Sequence, residues 1–280
     1  MSEKSKSIDI FEHGVAVEVD QAPPLGLARL ATTSLPIYSG FSVTAVDSSG
    51  RSLNDLAVNA LDCKKQHWVA HYHEEGDVSY CLRSALYRFD RIVGFYVEKC
   101  KLFEQQHQNA IRGNTDDARV YFEVDALLSD ARRVYEAISK LLWKHYAPKS
   151  QSGSRWRSVK GAVGSTDIIP EPFREVLRTS WKTFGVPANE YRDCLMHYVP
   201  LTDGAATLWM DRYERHWGAT VRLPAQPEKR SRKSYDFENG PDALAYCHSL
   251  IVELVTLSEQ LAAQDRIAEY LANPPTERPG

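Results

Sequence analysis

The sequence has no long apolar run, no strong excess of either charge and few cysteines. No segment approaches the roughly eighteen apolar residues that a membrane-spanning helix needs, so we expect no membrane association. The N-terminal stretch MSEKSKSIDIFEHG lacks the apolar core of a secretory signal. The five cysteines are odd in number, scattered and without Cys-x-x-Cys spacing. These absences predict a cytoplasmic protein with reduced thiols.

Several motifs of nucleotide-binding proteins and hydrolases are also absent. The sequence contains neither GxGxxG nor GxxxxGK[ST], so a phosphate-binding loop is unsupported, and it has no GxSxG nucleophile turn. A net charge of −3 argues against a protein that coats nucleic acid through bulk charge, although it permits a local basic site. The 280 residues, 43% hydrophobic and 25% charged, are typical of an ordinary globular protein with one large domain or two small ones.

The pattern near the N-terminus is β-like. Apolar and polar residues alternate over residues 15–19 and 41–46, and the turn cluster Asp47-Ser48-Ser49-Gly50 follows. We predict two to four short strands between Ile8 and Val46. So small a sheet is not expected to be stable alone.

Helical periodicity dominates the rest of the chain. Apolar residues recur three or four positions apart over 80–110 and over 116–146, which predicts two long amphipathic helices. The connection through Arg112-Gly113-Asn114 is short, so the two helices should lie antiparallel. Further helices are predicted over 53–71, from Pro172 to near Gly185, over 205–217 and over 243–271.

These patterns predict a mainly α protein with a small N-terminal β-containing extension. The expected domains are the extension at 1–76, a helical domain at 77–272 and a disordered tail at 273–280. Two basic loops, residues 147–160 and 222–233, interrupt the helical part.

An arginine, an acid and a histidine stand close together in YRDCLMHY, residues 191–198. On a helix, Asp193 and His197 share one face, so Asp193 can orient the His197 ring. Arg192 lies five residues before His197, roughly 140° away around the helix. One copy therefore cannot easily aim both groups at one phosphate, whereas two copies facing each other across a two-fold axis can. The segment is expected to be bounded by Gly185 and Pro187 before it and by Pro200 after it.

The stretch RDCLMH, Arg192 to His197, resembles the Arg-(Asn/Asp/His)-x-x-x-His motif of the HEPN (higher eukaryotes and prokaryotes nucleotide-binding) superfamily. In that superfamily the motif comes late in a bundle that begins with two long antiparallel helices, and the resemblance covers residues 78 to 268. It implies an HEPN-like helical bundle that cleaves RNA without a metal at a symmetric homodimer cleft, or a non-catalytic relative of such a nuclease. Arg192 and His197 would be the catalytic pair and Asp193 the polar second position, with no cofactor. Several catalytic members carry a tyrosine two positions after the histidine, where this chain has Val199.

The chemistry suits these residue types. Histidine serves as general acid or base near neutral pH, and arginine stabilises the charge that accumulates on a phosphorane. The expected products are a 2′,3′-cyclic phosphate and a 5′-hydroxyl. The analogy extends to a role in defence or stress response and to a cognate inhibitor protein of unknown identity. Phosphate contacts are predicted for Arg155, Arg157, Lys160, Arg230 and Arg232, and base stacking for Trp156.

Other interpretations of the same residues stay open. Residues 191, 195 and 198 of the motif segment can pack inward while its charges face water, and the basic loops can be ordinary solvated loops. Glu123, Asp125 and Arg132 form either a polar cluster beneath the site or part of a solvated face. Cys63, His67 and His71 suit zinc by residue type. Three ligands strung along two helical turns cannot reach one ion unless the helix bends, so we predict no metal site.

Overall fold

The structure is a computed structural model. It describes residues 7–10, 15–19, 35–36, 42–45, 47, 49, 51–53, 56–57, 76–107, 109–146, 158–197, 207–213, 216–229 and 232–263. These residues are mostly helical, with short antiparallel strands, so the prediction of a mainly α fold with a β-containing extension is confirmed. The helix predicted over 53–71 lies mostly outside the described ranges. Within those ranges, every helix is too short or too polar to traverse a lipid bilayer.

The N-terminal region forms short strands, as its alternating pattern predicts. They are β1 (Ser7–Ile10), β2 (Val15–Val19), β3 (Leu35–Pro36) and β4 (Ser42–Ala45). The central strand β2 pairs antiparallel with β1 and with β4, so that Val17 lies opposite both Asp9 and Val43. The β3 strand belongs to a different sheet.

The second sheet has the order β3-β7-β6-β5, with β5 at Arg112–Asp116, β6 at Thr207–Tyr213 and β7 at His216–Thr220. The helix predicted over 205–217 is therefore wrong, because this segment is the β6–β7 hairpin. Burial alternates along β6: Leu208 and Met210 are buried, whereas Trp209 between them is exposed. A short apolar run fits the helical period and the strand period equally well. Here the segment is a strand because it pairs with β5 and β7.

Two long helices follow the pattern predicted for them. They are α1 (Gly76–Gln106) and α2 (Ala118–Tyr146), with β5 in the connection that we expected only to end a helix. Later helices are α3 (Val159–Gly164), α4 (Glu171–Ser180), α5 (Val186–His197) and α6 (Ala243–Ala262).

The chain divides into two compact units that are built from interleaved segments. The first unit contains Met1–Leu53, Leu86–Leu127 and Glu190–Ser249. The second contains Asn54–Ala85, Leu128–Asn189 and Leu250–Gly280. The domain boundaries predicted near residues 76 and 272 stay predictions, because residues 58–75 and 264–280 lie outside the described ranges.

In the first unit, two contacts between α1 and α2 show that the helices run antiparallel, as predicted. In the first unit, later residues of α1 contact earlier residues of α2: Arg88 Nη1 lies 3.1 Å from Glu123 Oε2, and Glu98 Oε1 lies 2.8 Å from Arg119 Nη2. In the second unit, Ser84 Oγ donates to Asp130 Oδ2 at 2.6 Å.

A tyrosine with a partnered hydroxyl lies in the core of each unit. In the first unit, the fully buried Tyr96 donates to Asp242 Oδ2 at 3.2 Å. In the second unit, Tyr135 shares a hydrogen bond of 2.9 Å with Ser180 Oγ and packs edge-on against the Trp181 ring. These bonds satisfy hydroxyl groups that would otherwise be costly to bury.

A continuous helical run from Glu171 to His197 overturns the prediction that Gly185 and Pro187 bound the motif segment. The run passes from α4 through the π-helical turn Trp181–Gly185 into α5. A Cβ atom at Gly185 would lie 2.2 Å from the Trp181 ring, so this glycine makes room for the tryptophan and does not end a helix. The wider π turn ends two residues before Pro187, which has no N–H to donate.

Candidate functional site

The motif residues of the first unit lie on α5, one side of which is buried. Tyr191 and Cys194, three positions apart, are both buried. The Tyr191 hydroxyl donates to the carbonyl oxygen of Pro224 at 2.7 Å, and its ring packs edge-on against Tyr246 with centroids 5.1 Å apart. Burial raises the pKa of the Tyr191 hydroxyl, and the nearby Glu228 carboxylate raises it further. Tyr191 is therefore a neutral, buried anchor for this end of α5.

Cys194 forms a second anchor. Its thiol contacts the hydroxyl of Tyr235. Burial raises the pKa of the Tyr235 hydroxyl, and the hydrogen bond with Cys194 adds to this effect. The Tyr235 ring packs edge-on against Phe237, with centroids 5.9 Å apart. The buried side of α5 thus contacts Pro224, Tyr235 and Tyr246.

Arg192 and Asp193 lie at the partly exposed side of α5. Their side chains are 25% and 29% exposed, and Arg192 Nη1 lies 3.0 Å from Asp193 Oδ1. Because Tyr191 and Cys194 occupy the buried side, the helix holds both charged groups within reach of water.

Asp125 of α2 is electrostatically coupled to Arg192. Burial raises the pKa of the Asp125 carboxyl, and the positive charge of Arg192 acts in the opposite direction. Arg192 therefore interacts with two acidic side chains, Asp193 beside it and Asp125 from another helix.

Glu123 and Arg132, which the sequence analysis grouped with Asp125, have partners other than Arg192. Glu123 pairs with Arg88 and Arg91, at 3.1 and 3.4 Å. In the second unit, Arg132 pairs with Glu136 at 2.9 Å and also contacts Asn189. Of the three, Asp125 is thus the one whose described interactions include the motif arginine.

His197 is the last residue of α5, and its side chain lies outside the described residues. The helix is continuous from Asp193 to His197, so the two residues keep the spacing that brings side chains to one helix face. The predicted contact between Asp193 and the His197 ring stays a prediction, and so does the inward packing of residues 195 and 198.

Most of the predicted RNA-binding residues lie outside the described part of the chain. Lys160 is exposed on α3 and belongs to the second unit, whereas Arg192 belongs to the first. The backbone of Arg232 lies in a short 3-10 helix, Arg232–Ser234. The residues outside the description are Arg155, Trp156, Arg157 and Arg230, together with the side chain of Arg232.

The three candidate metal ligands, Cys63, His67 and His71, also lie outside the described residues. Among the residues that are described, no three histidine, cysteine or acidic side chains gather as metal ligands would.

Sequence reasoning missed the groups that anchor α5. Pro224 is 33 residues from Tyr191, and Tyr235 is 41 residues from Cys194. No local pattern connects residues so far apart, so the pairing emerges only in the folded chain.

Comparison with models of known protein families, with curated proteins and with solved structures finds no match to this chain.

Proposed function

We propose that the protein is a metal-independent endoribonuclease that acts as a homodimer through Arg192 and His197. The observation that carries the proposal is the position of the motif on α5. Tyr191 and Cys194 anchor one side of that helix, and the charged side chains of Arg192 and Asp193 stay partly exposed. The helix follows an antiparallel pair of long helices, which is the context in which the HEPN motif occurs.

In this mechanism His197 serves as general base or general acid. The ribose 2′-oxygen attacks the adjacent phosphorus and loses its proton, while the bond from phosphorus to the 5′-oxygen breaks and that oxygen gains a proton. The products are a 2′,3′-cyclic phosphate and a 5′-hydroxyl. Asp193, one turn before His197, would orient the imidazole ring.

Arg192 would stabilise the negative charge that develops on the phosphorane. Its guanidinium carries five N–H donors in a fixed planar arrangement. Because Arg192 and His197 are five residues apart on one helix, their side chains diverge by roughly 140°. Two copies facing each other would bring an arginine from one copy to a histidine from the other.

The same surroundings of Arg192 favour a second candidate, a non-catalytic HEPN-like interaction or dimerisation module. Asp193 and Asp125 both offset the arginine charge, which weakens its attraction for a phosphate. A site that no longer bound RNA would tolerate this neutralisation.

The deciding experiment is cleavage of a labelled mixed-sequence RNA in EDTA. We expect cleavage by the wild type, and a loss of at least about 100-fold in rate for Arg192→Ala and for His197→Ala. The matched control is Arg178→Ala, an exposed arginine on the same helical run that is paired with Glu171 and Glu175. This variant should cleave like the wild type.

The products and the assembly state separate the candidates. The new 5′ ends should accept phosphate from a polynucleotide kinase without prior phosphatase treatment. A folded, dimeric wild type that leaves every RNA in the mixture intact would favour the interaction module. Equal cleavage by all variants would show that the activity does not come from Arg192 and His197.

A further inference from the structure

Two large aromatic side chains of the first unit lie exposed on its two long helices. Tyr87 of α1 is 57% exposed, and Phe122 of α2 is 68% exposed. Within the described part of the chain, no aromatic ring or guanidinium packs on the Phe122 ring. Both helices bury a separate apolar face, so these two rings take no part in the core and are accessible to an external group.

Two arginines and one glutamate connect the surroundings of the two rings. The Cζ atom of Arg88 lies 5.5 Å from the centroid of the Tyr87 ring, and its Nη1 lies 3.1 Å from Glu123 Oε2. Arg91, one turn after Tyr87, reaches the other oxygen of Glu123 through its Nε at 3.4 Å. Glu123 is adjacent in sequence to Phe122, so Arg91 lies between the two rings. The Arg88 guanidinium covers only one of the two faces of the Tyr87 ring.

Arg91 is suited to hold an anion at this surface. Its side chain is 49% exposed, and its hydrogen bond to Glu123 uses Nε alone. Nη1 and Nη2 can therefore donate to a phosphate oxygen while that bond is kept. Glu123 also offsets only one of the charges of Arg88 and Arg91, so the three groups together carry a net positive charge.

The surface adjoins the motif arginine. Phe122 and Asp125 are three residues apart on α2, so their side chains are neighbours on the helix. Asp125 in turn interacts electrostatically with Arg192. A base that stacked on Phe122 would therefore belong to a nucleotide close to the phosphate that Arg192 would contact.

We propose that Tyr87, Arg91 and Phe122 form a binding surface for single-stranded RNA. One base stacks on Phe122, a second base stacks on Tyr87, and Arg91 holds a phosphate between them. This proposal rests on the proposed function, because it describes how the substrate of that site is held beside Arg192. All four residues belong to the first unit.

The chemistry of the surface favours a single strand over other occupants. Every base has a face that stacks on an aromatic ring, so rings beside an arginine are typical of sequence-tolerant binding to single strands. In a duplex the bases stack on one another and are not accessible to a protein ring. A dry protein interface over the same rings would also bury the charges of Arg91 and Glu123, at a cost in desolvation that a hydrated RNA strand avoids.

The test measures binding of an RNA that cannot be cleaved. Fluorescence anisotropy of a labelled 2′-O-methyl RNA of about ten nucleotides reports binding by the full chain, and this RNA lacks the 2′-hydroxyl that would attack the phosphorus. We expect Phe122→Ala to weaken binding by about 5- to 150-fold, as the loss of one stacked base does. Phe122→Leu should weaken binding by about 5-fold or more, because leucine keeps the apolar bulk and loses the ring. Phe122→Trp should bind at least as well as the wild type.

Tyr87 and Arg91 provide two further arms. Tyr87→Ala should weaken binding in the same range and Tyr87→Phe should not, because the ring and not the hydroxyl group stacks. Arg91→Ala should reduce the slope of log affinity against log salt concentration by about 0.7, the value for one phosphate contact with a single strand. The matched controls are Trp209→Ala on β6 and Lys101→Ala near the end of α1, an exposed aromatic residue and an exposed cation outside this surface. Both should bind RNA like the wild type.

The surface and the nuclease can fail separately. Binding that depends on Phe122, in a protein that leaves RNA intact, would support the surface and count against the nuclease. Four results would overturn the surface. They are a wild type without saturable binding at up to about 100 μM RNA, a Phe122→Leu variant that binds as tightly as the wild type, a duplex of the same sequence that binds as tightly as the single strand, and a polyglutamate peptide that competes as well as unlabelled RNA.

Discussion

The Asp242 carboxylate joins three parts of the first unit, and its removal gives a sharp test of how that unit is held together. Asp242 immediately precedes α6 and is only 6% exposed. Its Oδ1 accepts from the backbone N–H of Ala245 at 3.0 Å, which caps the helix. Its Oδ2 accepts from the backbone N–H of Val221 at 3.1 Å and from the Tyr96 hydroxyl at 3.2 Å.

The expected cost of Asp242→Ala has two parts. Losing a capping side chain costs about 1 kcal/mol. The N–H of Val221 and the hydroxyl of Tyr96 are buried, and each donor left without an acceptor costs about 1 to 3 kcal/mol. Together these give a loss of about 3 to 7 kcal/mol in the free energy of unfolding, a large share of the about 5 to 15 kcal/mol that proteins usually possess.

Asp242→Asn should cost less than Asp242→Ala. Asparagine is a good capping residue and keeps one acceptor oxygen for the N–H of Ala245. Its NH₂ group would then face the N–H of Val221 and the hydroxyl of Tyr96, to which it cannot serve as an acceptor. We expect a loss of about 1 to 3 kcal/mol.

Urea unfolding followed by circular dichroism would measure these free energies. The control is Glu238→Ala, an exposed residue of the preceding loop, for which we expect a change within about 0.5 kcal/mol. If Asp242→Ala lowered the free energy of unfolding by less than about 1 kcal/mol, or by no more than this control does, the hydrogen bonds of the Asp242 carboxylate would not stabilise the unit as we infer.

Two further predictions concern a glycine pair and an ion pair. A Cβ atom at Gly240 would lie 1.7 Å from the backbone oxygen of Leu223. Gly240→Ala should therefore lower the free energy of unfolding by about 3 kcal/mol or more, which a lower urea midpoint would show. Gly94→Ala, inside α1 with nothing within 4 Å, should instead stabilise by about 0.5 to 1 kcal/mol, and equal effects of the two substitutions would contradict this reasoning. The hydrogen bond from Arg119 lowers the pKa of the Asp117 carboxyl below its ordinary value of 3.8. The ionised carboxylate therefore stabilises the folded state fully when the pH is above 3.8, and this stabilisation is lost as the pH falls through the lower pKa of the folded state. The difference in unfolding free energy between wild type and Asp117→Asn should therefore be constant above about pH 5 and shrink progressively as the pH falls below about 4, and a difference that did not shrink on acidification would refute the assignment.

The long helices were predictable because their signal is local and repeated many times. Over α1 and α2, each turn places apolar residues on the same face, so that the period of 3.6 is unmistakable. Because the connection between the two helices is short, an antiparallel pair was the arrangement to expect. The alternation in β2 and β4 is local in the same way, and both strands lie where the sequence places them.

Where the prediction failed, packing against another part of the chain or a neighbouring side chain decided the outcome. The hairpin β6–β7 is a strand pair because β5, almost a hundred residues earlier, supplies the neighbouring strand. Gly185 resembles a helix terminator in the sequence, yet the Trp181 ring occupies the space that its missing Cβ leaves. In both cases the local preference was weak, and packing overrode it.

For the candidate site, the sequence by itself determined the residue types and their helical spacing: Arg192, Asp193 and His197 share one short helix. The tertiary structure decided which side of that helix is buried. It placed Tyr191 against Pro224, Cys194 against Tyr235, and the charge of Arg192 near Asp125. Spacing along a helix is fixed by backbone geometry that every residue shares, whereas burial and electrostatic partners depend on groups that only folding brings together.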